Sequence, residues 1–176
     1  MSLEIPFMGG CLCGALRYQC TEAPVMVLCC HCKDCQRRTG SAFGITVSVK
    51  NKSFEVLQGE TTSWLSIRQS GNKLQFMSCA ICGTRCWGEL PDMPESTLIL
   101  GGTLDDATSL QPNAHIYTGS KQPWVTIPGN VYSSEDKPDW RKVFSSWNLR
   151  WVTPDSSIFW NWLEIRRGQK SALQLP

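Results

Sequence analysis

A mostly β fold is what this sequence predicts, on three observations. Short apolar segments recur between turns rich in Gly, Asn and polar residues. One of them, Ile45 to Val49, alternates cleanly, with Ile45, Val47 and Val49 on one face. Helical spacing sets in only after about residue 130. A length of 176 residues suits one domain and is enough to bury a core without disulfides.

The predicted strands run in order. Ala15 to Tyr18 precedes a Thr21–Pro24 turn, and Val25 to Leu28 is a buried strand running into a cysteine cluster. Ile45 to Val49, Phe54 to Leu57, Ser63 to Ile67 and Lys73 to Met77 follow, each closed by turn residues. Thr97 to Leu100 ends at Gly101-Gly102, and His115 to Tyr117 is a further short strand. From Ser133 to Asp139 the chain is a polar linker with Pro138. Trp140, Phe144, Trp147 and Trp151 then recur at helical spacing, and Trp160, Trp162 and Ile165 mark a second apolar segment. The expected organisation is a β domain over 1–132. A Trp-rich extension over 133–176, helical or irregular, packs on the same domain as core, as a wall over the site or as a dimer contact.

Composition narrows the function classes. Hydrophobic residues make up 41% and charged residues 18%, as in a globular chain rather than a disordered one. A formal charge of +2 and the lack of any Lys/Arg-rich run give no argument for nucleic acid or a membrane surface. Met1 to Gly10 has neither a basic nor a long apolar region, so no signal peptide is expected, and Val25 to Cys30 is too short to span a bilayer. A cytoplasmic setting is therefore expected. There, ten cysteines point to metal or thiol chemistry rather than to the disulfide framework of a secreted domain.

Three cysteine clusters carry that chemistry. In Gly10-Cys11-Leu12-Cys13-Gly14, an extended chain would place Cys11 and Cys13 on one side. In Ser78-Cys79-Ala80-Ile81-Cys82-Gly83, a C-x-x-C turn aims both sulfurs inward, and Gly83 accepts positive φ. Together, Cys11, Cys13, Cys79 and Cys82 make a closed Cys₄ site of the structural zinc type, tying distant strands. The third cluster offers Cys30, Cys32 and Cys35, three thiolates with an open position, as in a catalytic zinc site. The competing reading is a second closed site, completed by Cys29, His31 or Cys86. Two Zn²⁺ per chain are expected. Seven thiolates and two such ions would bring the net charge to −1. Arg37 and Arg38 lie beside the third cluster and can offset its charge, bind a substrate carboxylate or stay solvated.

These clusters, in this order, resemble the glutathione-dependent formaldehyde-activating enzyme family, which also includes centromere protein V. The resemblance rests on Gly10 to Gly14, on Cys30 to Cys35 with Arg37, Arg38, Gly40 and Phe43, and on Cys79 to Thr84. It continues over Ala114 to Tyr117 and Lys121 to Trp124, and so covers residues 8 to about 130. It implies twisted antiparallel β-sheets stapled by a zinc on Cys11, Cys13, Cys79 and Cys82. It also implies a labile zinc on Cys30, Cys32 and Cys35, where substrate binds. The activity it implies is addition of a small thiol, glutathione, to a small aldehyde, formaldehyde, and in reverse a carbon–sulfur lyase. The Trp-rich extension and three further cysteines, Cys20, Cys29 and Cys86, depart from the family pattern.

In the expected mechanism a zinc-bound thiol loses its proton and meets an aldehyde held beside it. Asp34 or His31 is the candidate base, although Asp34 also suits the cap of a short helix beginning near Cys35. The rival readings are a non-catalytic zinc-binding interaction module and a thiol redox or metal-buffering protein.

Overall fold

A computed structural model supplies the fold, and residues 3–67, 71 and 73–146 are described. Among them eleven strands and two short α-helices follow in chain order: β1 (Phe7–Gly10), β2 (Arg17–Cys20), β3 (Met26–Cys30), α1 (Lys33–Thr39), β4 (Gly44–Lys50), β5 (Phe54–Gln58), β6 (Thr61–Ile67), β7 (Lys73–Cys79), β8 (Arg85–Glu89), β9 (Ser96–Leu100), β10 (Ala114–Ile116), β11 (Tyr132–Ser134) and α2 (Trp140–Ser146). The mostly β expectation holds.

A small sheet runs β1-β2-β5, and a large one runs β11-β10-β3-β4-β9-β8-β7-β6. Hairpin-related neighbours pair antiparallel, but β10 lies parallel to both β3 and β11. The resemblance implied antiparallel sheets, and the other strand pairs are antiparallel. The exception arises where a long connection between β9 and β10 leaves strand direction free of hairpin geometry.

The alternation in β4 does what its pattern predicted. Val47 is fully buried, opposite Val27 on one neighbour and Ile99 on the other, and Ile99 faces Trp87 on β8. This row packs with Phe7, Leu16 and Tyr18 of the small sheet in one core. Tyr18, Phe54 and Trp87 form its aromatic centre, with ring centroids 5.0–6.1 Å apart. The Tyr18 hydroxyl lies 2.7 Å from Thr103 Oγ1. Gly9 permits this approach, because a Cβ there would stand 2.3 Å from Tyr18 Oη and 2.4 Å from the Thr103 carbonyl oxygen. On β3 alternate residues serve a second core: Met26, Leu28 and Cys30 pack with Ala114, Ile116 and Val143 of α2. Trp140 packs against that cluster, while Trp147, Trp151, Trp160, Trp162 and Ile165 lie outside the described residues.

Four local expectations are corrected. Cys11 and Cys13 sit in a tight turn after β1, not on a strand, where Gly14 takes a positive φ and favours reversal. Asp34 does not cap α1. Cys32 does, its Sγ accepting the Cys35 N–H at 3.4 Å, and Asp34 is exposed in the first turn. The segments Phe7–Gly10 and Arg85–Glu89 are strands, although their glycines and Cys86 hid the pattern. Ser133 and Ser134 belong to β11 rather than to a linker, held by pairing to β10.

Candidate metal centres

Two chain reversals build the first sulfur cluster. In one, the Cys11 N–H donates to the Leu16 carbonyl at 3.0 Å, and Gly14 turns the chain at φ 78°. In the other, the Cys79 N–H donates to the Thr84 carbonyl at 2.9 Å, and Gly83 sits at φ 71°. The Leu12 N–H, donating to Thr84 Oγ1 at 3.2 Å, joins the two. The Sγ atoms of Cys11, Cys13, Cys79 and Cys82 then all lie within 4.8 Å of one another. The first turn links β1 to β2 of the small sheet, and the second links β7 to β8 of the large one. The cluster therefore bridges the two sheets.

The second cluster is local. Cys30 ends β3, Cys32 caps α1 and Cys35 lies in its first turn, so three sulfurs converge from six residues. The loop is fixed at the His31 carbonyl, which accepts from Gln36 Nε2 at 2.7 Å and from Ser120 Oγ at 2.9 Å. Gln122 Nε2 in turn donates to Gln36 Oε1 at 2.9 Å. The 118–122 segment thus clamps the cluster from a distant part of the chain.

Both groups fit zinc. A Zn–S bond of about 2.3 Å in a tetrahedron places sulfurs about 3.8 Å apart. Sulfur separations are 3.4 Å for Cys11–Cys13, 3.9 Å for Cys13–Cys79 and 3.5 Å for Cys30–Cys32. N–H donors point at the sulfurs, as thiolates require: Leu16 N to Cys11 at 3.2 Å, Ile81 N to Cys79 at 3.4 Å and Arg38 Nη2 to Cys35 at 3.3 Å. Hydrogen bonds from Cys30 and Cys32, aided by Arg38, hold the Cys35 thiol far below its ordinary range, while its neighbours push the Cys30 thiol up. The clusters can therefore hold metal, and thiolates select a soft one such as Zn²⁺.

Cys29, His31 and Cys86 stand outside both groups. Cys29 is buried between Ile45 and His115, and Cys86 lies in the main core. Burial pushes both thiols up to about 12, and Cys20 likewise. His31 is fully buried, with Nε2 2.9 Å from Nδ1 of His115 and its ring against Phe43. Burial holds both imidazoles below their ordinary value, with His115 adding to the effect on His31. Arg37 is exposed, and Arg38 turns instead toward Arg85 of β8, which donates Nη1 to the Arg38 carbonyl at 3.0 Å. Sequence reasoning gave no role to His115, Gln36, Ser120, Gln122 or Arg85.

The family described as glutathione-dependent formaldehyde-activating enzyme matches residues 6–120. No curated protein matches the chain. Among solved structures, the crystal structure of a Rhodobacter sphaeroides protein is similar at 19% identity over 60% of this chain and 91% of that chain, with a TM-score of 0.45. The family match spans well over half of the chain and takes in both sulfur clusters, so the chain belongs to the glutathione-dependent formaldehyde-activating enzyme family.

Proposed function

We propose that this chain is a zinc-dependent carbon–sulfur lyase that interconverts glutathione and formaldehyde with S-hydroxymethylglutathione. The observation that carries this reading is the inequality of the two sulfur clusters, one of four and one of three. Four thiolates close a tetrahedron, whereas three leave a position for a substrate. On this reading Cys11, Cys13, Cys79 and Cys82 hold a structural Zn²⁺, and Cys30, Cys32 and Cys35 hold a labile catalytic one. Of the expected extension over 133–176, the described part packs on the same domain, with Val143 in the second core, and residues 147–176 lie outside the described residues. Ten free thiols suit a reducing, cytoplasmic setting.

When bound, the metal supplies a Lewis acid that lowers the pKa of an incoming thiol from about 8.5. The chain's own residues prepare the site. Arg38 offsets thiolate charge at Cys35, and the Cys35 N–H stabilises Cys32. Gln36 and Ser120 hold the Cys30–Cys32 loop through the His31 carbonyl. In the reaction the thiol sulfur bonds to the aldehyde carbon, the carbonyl π pair moves to oxygen, and the thiol proton ends on that oxygen. His31 is sealed and engaged with His115, so the proton exchanges through solvent.

Two-dimensional exchange NMR on an equilibrium mixture tests the proposal, because the reaction also runs uncatalysed. The exchange rate should rise in proportion to protein and fall to the uncatalysed value with Cys32→Ser. No acceleration by zinc-loaded protein would sink the proposed activity.

A further inference from the structure

We infer that Arg38 and Arg85, stacked together on the Phe76 ring beside the three-cysteine cluster, form an anion subsite that holds a carboxylate of the thiol substrate. The substrate class rests on the function proposed above; the subsite rests on geometry. Three separate elements build it. Arg38 comes from the last turn of α1, Arg85 from β8 and Phe76 from β7. The two guanidinium carbons lie 4.7 and 4.6 Å from the ring centroid, and Phe76 itself is 3% exposed. Stacking on a buried ring fixes each guanidinium plane. Arg38 gives Nη2 to Cys35 Sγ and Arg85 gives Nη1 to the Arg38 carbonyl, and the remaining N–H groups of the two forks suit a carboxylate.

Charge makes the case. Among the described residues Arg17 pairs with Asp105, and Lys50 and Lys52 share Glu22. Neither Arg38 nor Arg85 has a carboxylate partner among the described residues, although both are half-buried and adjacent. Burial and the charge of Arg38 both act against the charged form of Arg85. Three thiolates around a divalent metal carry one negative charge, which Arg38 meets through Cys35. Arg85 then has no balancing charge. Its hydrogen bond goes to the Arg38 carbonyl, so it braces its neighbour and adds a second cation.

Position supports the assignment. Arg38 Nη2 is 3.3 Å from Cys35 Sγ, so a carboxylate held there lies within reach of a thiol at the cluster. Gly44 leaves room for the guanidinium, since a Cβ at that position would stand 3.2 Å from Arg38 Nη2. Trp64, 58% exposed, stacks on Phe76 with ring centroids 6.0 Å apart and so helps hold the ring that carries the two guanidinium groups.

The test is calorimetric titration of zinc-loaded, full-length protein with glutathione and with its diamide, in which uncharged amides replace both carboxylates. Glutathione should bind about 10- to 100-fold more tightly, the range for one charge-assisted interaction. Arg85→Met should bring that ratio to within about twofold with zinc content unchanged, and the milder Arg85→Lys should lower it part-way, because charge remains but the planar fork is lost. Equal affinities in the wild type, no binding of glutathione, or a ratio that survives both substitutions would overturn the subsite. If both thiols bind equally and both show accelerated exchange, the subsite fails and the proposed activity stands. Carboxylate selectivity without accelerated exchange would support the subsite and count against the activity.

Discussion

Replacing Cys79 by serine should cost far more stability than replacing Cys32, and the difference follows from where each cluster closes the chain. Cys13 and Cys79 are 66 positions apart and belong to turns of different sheets. A crosslink closing a loop of that length removes about 4 kcal/mol of unfolded-chain entropy, taking the disulfide relation as a guide for a metal. The Cys30–Cys35 cluster closes a loop of only about five residues, for which the same relation gives about 2 kcal/mol. In a chain of this size 1 kcal/mol moves the melting temperature by about 2–4 °C. Cys79→Ser should therefore lower Tm by about 8–16 °C, or leave the protein insoluble, and Cys32→Ser by at most about 4–8 °C. Circular dichroism melts on zinc-loaded protein, with metal content measured on the same samples, give both numbers. Equal losses of Tm would refute the division into a structural and a catalytic centre.

Three further outcomes are expected. Tyr18→Phe removes the buried hydroxyl 2.7 Å from Thr103 and should cost about 1 kcal/mol in urea denaturation; a loss of less than about 0.3 kcal/mol would mean that this bond contributes nothing net. Gly9→Ala forces a methyl group against Tyr18 Oη and the Thr103 carbonyl, so it should cost about 3 kcal/mol or more; a neutral result in the same assay would contradict the packing described there. His115, held below its ordinary value by burial, is neutral in the fold, while in the unfolded chain it takes up a proton below about pH 6.5. Stability should thus be full above that pH and fall as pH drops through it, and His115→Asn should flatten this part of the profile of Tm against pH.

Much of the fold was legible because its signals are local. Ile45, Val47 and Val49 alternate because β4 presents one face to the main core, and the C-x-x-C turn at Cys79 works because Gly83 takes positive φ. The cysteine groupings were readable for the same reason, since spacing within a turn governs which sulfurs can meet. What escaped depends on distant partners. β8 reads poorly as a strand because it carries Gly88, yet the glycine leaves room for its neighbours, since a Cβ would stand 2.9 Å from Leu74 Cδ1 and 3.4 Å from Phe76 Cδ1. His31 looked like a candidate base or ligand. Its partner His115 is 84 positions away on a parallel strand, and no local pattern links them. Arg38 was paired in the sequence with Arg37, but helix geometry sends Arg37 to solvent and Arg38 onto Phe76, where β8 supplies Arg85. Cys32 took the capping role that its neighbour Asp34 suggested, because the cap position falls one residue before α1.

X-ray absorption at the zinc edge, combined with metal analysis, tests the central claim of two unlike centres most directly. Wild-type protein purified without chelator should bind up to two zinc ions per chain, with a mean sulfur coordination between three and four at full loading. Cys32→Ser should retain one zinc with four sulfurs. Four sulfurs on every zinc of a fully loaded wild type, or folded protein free of metal, would contradict the account.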